Sequence, residues 1–357
     1  MQKLAYIRLA TALIICLSVM LYQVKNIFVP IEKSAQTAEI GVLADKEDKI
    51  TSSQEKTDTA QNREQTEKEE NTESEAKKEQ SQEQKNNESV EVSAKDVKGK
   101  IYEKYISPYN APQSYGKVYM KNSTGVSVDI KSLLEAKLGF KISKNSNEPQ
   151  VLIMHTHATE SFMSSDSDYY TASFSPRSRD NSKNMIKIGE KVAQILNENG
   201  IKTLHDKTQH DYPEYTGSYS RSKSTINWYL KKYPSIKVVL DLHRDSVTSG
   251  DGKIKLATNI DGKKAAQVML VMGSQTGSVS GHPKWKENLK LAFKVQQKLE
   301  QNYPTLARPL MLASKLYNQH LTTGSLLIEF GTDANSLSEA CYSAELVGKT
   351  IAQVLKE

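Results

Sequence analysis

From Val29 to Ile101 the chain contains no aromatic residue, and residues 46–98 are almost entirely Glu, Lys, Gln, Ser, Thr, Asn and Asp. Such a stretch has too little apolar surface to offset the entropy of ordering its backbone, so it is expected to be disordered. Globular structure is therefore confined downstream, to one unit from about residue 100 to residue 357, within the size of a single α/β domain. The 15 acidic and 10 basic residues of the polar stretch leave it at −5, so in a chain of net +6 the remainder carries +11. A basic domain on an acidic tether suits an anionic polymer or an anionic membrane surface. No basic stripe with interleaved aromatics is present, so nucleic acid is not an expected partner. Two cysteines, Cys16 and Cys341, are too few for a disulfide framework.

Ahead of the polar stretch, residues 9–24 (LATALIICLSVMLYQV) are uncharged, with Lys3 and Arg8 before them and Lys25 after. A hydrocarbon layer needs about 20 apolar residues. The stems of Arg8 and Lys25 can snorkel, and Ile27, Phe28 and Val29 extend the run. The preceding positive charges predict a cytoplasmic N-terminus and an exported C-terminal domain. A cleaved signal peptide is the competing reading, but no small-x-small cleavage site directly follows the apolar core, which favours an uncleaved anchor. The expected division is a transmembrane signal anchor over residues 1–30, a charged linker over 31–99 and an extracytoplasmic domain over 100–357. A coil of roughly 70 residues reaches about 40 Å, so the domain is expected to work on something fixed outside the cell membrane.

Within the domain the pattern alternates between apolar runs and amphipathic segments. Strands are expected at residues 151–154, 201–204, 236–240, 266–272 and 326–328, and helices at 184–199, 220–233, 286–303 and 336–355. This order indicates an α/β fold with a mostly parallel sheet flanked by helices. In such sheets ligands collect beyond the carboxyl ends of the strands. Three apolar runs end there in reactive groups: VLIM runs into His155, His157 and Glu160, VVL into Asp241, His243, Arg244 and Asp245, and LLI into Glu329.

His157 and Glu160 are spaced H-x-x-E, and His243 arrives from another strand. Two imidazoles and a carboxylate suit Zn²⁺ at ~2.0–2.2 Å, with a fourth position left for water. Zinc lowers the pKa of its bound water towards about 7. Glu329 then suits the general base that takes the water proton and passes it to a leaving amine, which is amide hydrolysis without a nucleophilic side chain. His155 shares the motif and, if the segment stays extended, points to the same side as His157, as a ligand, as a support to one or as a substrate contact. Glu160 could instead cap the following turn, and Glu329 could be a buried structural carboxylate. Arg244 reads either as a clamp for a substrate carboxylate or developing oxyanion, or as a surface ion pair. Asp241 and Asp245 are placed to orient His243. Glu190 reads as a solvated helix-face residue, and His205, His210, His282 and His320 lack metal spacing. Asp211 and Tyr215 are candidates for shaping the cleft, while Ser161 has no base at motif spacing.

Four segments, VLIMHTHATESF, HDYPEYTGSYSRS, VVLDLHRDS and SLLIEFGTDANSLSEA, taken in that order, resemble the stage II sporulation protein P family. The resemblance covers residues 151–355 and implies an amidase-like fold. It implies a zinc N-acetylmuramoyl-L-alanine amidase that hydrolyses peptidoglycan during engulfment of the forespore, with endopeptidase action on peptide crosslinks. It also implies stage II sporulation proteins D and M as partners. By that resemblance His157 is the first zinc-binding histidine, His243 the later one and Glu329 the catalytic carboxylate. The common amidases place the middle ligand, a Glu, at the start of the next helix, where this chain has Asp180, Asn181 and Ser182. Glu160 is the substitute, with Asp180 and His155 remaining open. Two other functions fit the same residues: a carboxypeptidase-like zinc peptidase and a non-catalytic wall-binding adaptor.

Overall fold

The computed structural model describes residues 96–357. The apolar N-terminal run and nearly all of the polar tether lie outside the described residues, among which no helix is long and apolar enough to cross a membrane. Eight strands, labelled in chain order, form the main sheet. Across it run β2 (Gln113–Tyr115), β3 (Val118–Asn122), β12 (Leu310–Ala313), β11 (Val268–Gly273), β13 (Ser325–Thr332), β7 (Val238–Asp245), β4 (Val151–Met154) and β6 (Thr203–His205). Only the β2–β3 and β11–β13 neighbours are antiparallel. The expectation of a mixed α/β fold with a mostly parallel sheet is met.

The helices are α1 (Ile130–Glu135), α2 (Met185–Glu198), α3 (Ser218–Lys232), α4 (Trp285–Asn302) and α5 (Leu337–Lys356). Their starts follow from local chemistry. Asn184 caps α2 by accepting from Ile186 N, and Ser336 with Glu339 forms a reciprocal capping box on α5. Alternation along the central strands sorts side chains to two faces. Ile153, Leu240, Leu242 and Ile328 join the main core with α2, α4 and α5. On the other face Leu152, Met154 and Val239 pack under Ile226 and Tyr229 of α3. Asp241 and His243 share the parity of Val239, and so belong to the α3 face.

A second sheet was not foreseen. It runs β10 (Lys263–Ala266), β9 (Gly252–Ile260), β1 (Val97–Lys104), β5 (Tyr169–Thr171), with β8 (Thr248–Ser249) paired to β9. β1 buries only Ile101 fully, and its lysine-rich sequence carries little of the apolar signal of a strand. β1 thus includes Val97, Lys98 and Gly99, the last residues assigned to the linker. The run expected as one strand over 266–272 is divided at Gln267 between the two sheets. Gln267 is fully buried, and its side chain bonds the backbones of Ile106 and Thr305.

β13 stops in a bulge at Gly331, whose φ of 65° is left-handed. A Cβ there would meet Ala266 Cβ at 2.8 Å and Asn335 Oδ1 at 2.5 Å. Gly331→Ala is expected to cost about 1–3 kcal/mol, read as a lower urea midpoint, because both strain and overpacking oppose it. An unchanged midpoint would show that the bulge relaxes freely.

Candidate active site

Strands β13, β7 and β4 are adjacent and parallel, so their carboxyl ends share one edge of the sheet. That adjacency brings the three polar strand ends together. Glu329 on β13 stands beside His243 on β7 in register. His157 follows β4, and its ring centroid lies 5.3 Å from that of His243, with the planes at 87°. Glu160 Oε2 lies 3.7 Å from His243 Nδ1 and accepts from Arg244 N at 3.2 Å. Asp241 Oδ1 lies 2.8 Å from His243 Nε2, an ion-pair contact whose angle falls short of hydrogen-bond geometry. Both Asp241 oxygens are held by Thr156, from its backbone N–H and its hydroxyl.

His157, Glu160, Asp241 and His243 are buried; Glu329 is part-exposed, although its Oε2 is sealed from solvent and unpartnered. Electrostatics separates the titratable groups. Burial holds the His157 imidazole well below its usual pKa, and the charge on His243 adds to this. Burial also opposes the charge on His243, but Asp241, Glu160 and Glu329 outweigh it and hold the imidazole up at about 10. Burial pushes Glu329 up to about 8 against the pull of His243, with Asp245 and Glu160 adding like-charge repulsion. Burial likewise raises Glu160, opposed by Arg244 and His243.

The donor set can be tested against a divalent metal. His157 Nδ1 is a buried nitrogen without a hydrogen-bond partner among the described residues, a costly state that a metal would relieve, and His243 Nε2 has only its ion-pair contact with Asp241. Two imidazoles sharing a tetrahedral ion at about 2.0–2.1 Å set their ring centroids roughly 5 Å apart, as these rings are. Imidazole and carboxylate donors therefore fit zinc in kind. Among the described residues, however, no group of three or more His, Cys, Asp or Glu closes around one point. The third arm is left to a carboxylate beside His243, Glu160 or Asp241.

His155 is not part of this cluster. β4 ends at Met154, so strand alternation does not carry through to His157, and His155 turns to the opposite face. There Nδ1 donates to Leu242 O at 3.0 Å, which leaves Nε2 to accept from His205 Nε2 at 2.9 Å. Burial depresses both imidazoles, His155 to about 3 and His205 to about 4. With folded values below the ordinary 6.5, the unfolded chain binds more protons, so stability is full above about pH 6.5 and falls as the pH drops. The urea midpoint is expected to be lower at pH 5 than at pH 7.5, with the fall reduced in His205→Gln. A fall of the same size in the variant would clear this pair.

Arg244 is neither a clamp nor a surface ion pair. It is buried, and Nε, Nη1 and Nη2 donate to the carbonyls of Ser161, Asp245 and Pro176. Its guanidinium fastens the loop that carries Glu160 and lies 4.0 Å from Glu160 Oε1 through Nη1. Asp180 is exposed in a turn, where it accepts from Ser182. Glu190 pairs with Lys187 and Lys207 on the surface. His210 is a buried tie between His155 O and Thr225, and the His282–His320 pair belongs to other loops.

Asp211 and Tyr215 both lie beside the cluster. Tyr215 stacks on His157 at 4.4 Å, while Asp211 accepts from Thr159 and Arg177. Residues not anticipated are Tyr219, edge-on to His157 at 5.7 Å, Tyr317 beyond it, and Arg308. The Arg308 guanidinium is buried and pairs with Asp245 at 3.0 Å. Tyr219 sits four residues after Tyr215, a helix-like spacing that could have flagged it; Tyr317 and Arg308 lie in irregular segments without any motif.

The family model for stage II sporulation protein P matches residues 20–352. The chain belongs to the stage II sporulation protein P family. A curated relative, stage II sporulation protein P of Bacillus subtilis (strain 168), is 27% identical over 220 residues, covering 57% of this chain and 50% of the relative. The chain thus spans about half the length of the curated relative it matches. Solved structures that overlap it include the N-acetylmuramyl-L-alanine amidase Ami1 from Mycobacterium abscessus, 14% identical, with TM-score 0.33 over 58% of this chain and 97% of that one. An N-acetylmuramoyl-L-alanine amidase from Clostridium difficile 630 is 15% identical, with TM-score 0.33 over 58% and 95%. The CwlD amidase from Clostridioides difficile, solved in complex with the GerS lipoprotein, is 13% identical, with TM-score 0.29 over 58% and 94%. Overlaps this low carry no inference about the chemistry of this chain.

Proposed function

We propose that this protein is a sporulation peptidoglycan hydrolase that cleaves the N-acetylmuramoyl-L-alanine amide, working from the outer face of the cell membrane during engulfment. Family membership supports the setting. The observation that carries the chemistry is the gathering of His157, His243 and Glu329 at one sheet edge, with His157 Nδ1 and Glu329 Oε2 sealed and without a hydrogen-bond partner among the described residues and His243 Nε2 facing Asp241. His157 and His243, with Glu160 as the third donor, would hold a zinc ion. Bound there, zinc would supply an acidified water at neutral pH and a Lewis acid for the amide carbonyl. Glu329, raised to about 8, is suited to hold a proton at Oε2 and hand it to the leaving amine. Tyr219 keeps its hydroxyl proton, because burial and Asp241 raise it, and so offers a donor beside the reacting carbonyl. The tether, the uncleaved anchor over residues 1–30 and partnership with stage II sporulation proteins D and M complete this reading.

Mass analysis of peptidoglycan fragments tests it. An amidase frees the stem peptide from the lactyl group, whereas cleavage within stem peptides or crosslinks would mark a peptidase. A second reading, a wall-binding adaptor, is favoured by the absence of three closed metal donors among the described residues. Wall binding that persists in chelator, with no fragments released, would select it.

A further inference from the structure

Three arginines surround the site, and they differ in what their guanidinium groups have left to offer. Arg244 is spent on three backbone carbonyls, and Arg308 is buried against Asp245. Arg177 alone of the three stays about one-third exposed at the side chain, 34%, while remaining pinned. Its Nη1 donates to Asp211 Oδ2 at 2.6 Å and to Thr159 Oγ1 at 3.1 Å. The Asp211 side chain is itself fully buried. Among the described residues no hydrogen bond engages Nε or Nη2 of Arg177. Its Cζ lies 4.6 Å from the centre of the Tyr215 ring, which in turn stacks on His157 at 4.4 Å. The guanidinium is therefore fixed one aromatic ring away from the candidate zinc-binding imidazole.

We propose that Arg177, backed by Tyr215, is the subsite that takes a carboxylate of the substrate's peptide, making the enzyme selective for an acidic peptide at the leaving-amine side of the scissile amide. This rests on the amide-hydrolase reading and names the half of the substrate that is gripped. The Nε–Nη2 edge is the fork that binds a carboxylate bidentately, and the Asp211 and Thr159 contacts settle its orientation in advance. Each peptide residue spans about 3.3–3.6 Å, so a carboxylate one or two residues beyond the scissile bond matches an offset of one stacked ring. Neutral sugar hydroxyls gain little from such a fork. Arg177 is a specificity residue, distinct from the groups that move protons.

The test is calorimetric binding to the full-length chain carrying Glu329→Gln, so that no probe is turned over. The probes are an N-acylated peptide whose second residue is acidic and the same peptide with that carboxylate converted to carboxamide. The acid is expected to bind about 10–100-fold more tightly than the amide. Arg177→Lys keeps a cation beside Asp211 but loses the fork, and should cut the preference to threefold or less. Arg179→Gln removes the same charge from a neighbouring arginine that packs on Tyr212, and should leave the preference intact. Equal binding of acid and amide by the parent chain, no binding of either, or equal loss with Arg177→Lys and Arg179→Gln would overturn the clamp. Failure of the hydrolase reading registers separately, as absence of fragment release from peptidoglycan by the wild-type chain.

Discussion

Glu329→Gln is expected to lower peptidoglycan turnover by about 10²–10⁴-fold while leaving zinc content and wall binding unchanged. The separation follows from placement. Glu329 comes from β13, whereas the imidazoles come from the β4 end and from β7, so the substitution removes a proton carrier and spares the donors. The amide of Gln is close in shape to the carboxylate, and Oε2 has no hydrogen-bond partner among the described residues whose loss would disturb the fold. Release of labelled stem peptide and bound zinc, measured on the same preparation, check both halves. Turnover within threefold of wild type would remove Glu329 from the mechanism, and loss of zinc would make it a ligand.

The second large effect concerns pH. His243 is held up to about 10 in the metal-free site, so between pH 6 and 8 its imidazole carries a proton that must leave before Nε2 can ligate. A group with a raised value gives up its proton only as pH rises, so metal affinity must climb with pH. With one proton displaced, affinity should increase about tenfold per pH unit, or roughly 100-fold from pH 6 to pH 8. Calorimetry in buffers of different ionisation enthalpy should find about one proton released per zinc at pH 7. Affinity that is flat across this range would mean that His243 does not ligate, or that its proton is not held as described.

Much of this site was legible in the sequence because it depends on order along the chain. Apolar runs ending in His157, His243 and Glu329 mark strand ends, and parallel adjacency of β4, β7 and β13 does the rest. His155 misled because alternation was extended past Met154, where the strand had already stopped. Arg244 misled because its sequence position says nothing of three carbonyls arriving from the 161–176 loop and from Asp245. Arg177, Tyr317 and Arg308 act through contacts between distant loops and carry no spacing of their own. The second sheet stayed hidden because β1 buries little and reads as part of the polar tether.

The central claim is that His157 and His243 grip one zinc ion. X-ray absorption at the zinc edge on the full-length protein, alongside metal analysis of His157→Ala, tests it most directly. The account predicts one zinc per chain with two imidazole nitrogens at about 2.0–2.1 Å, and a variant that no longer retains zinc. A zinc-free preparation that hydrolyses peptidoglycan undiminished in chelator would contradict it.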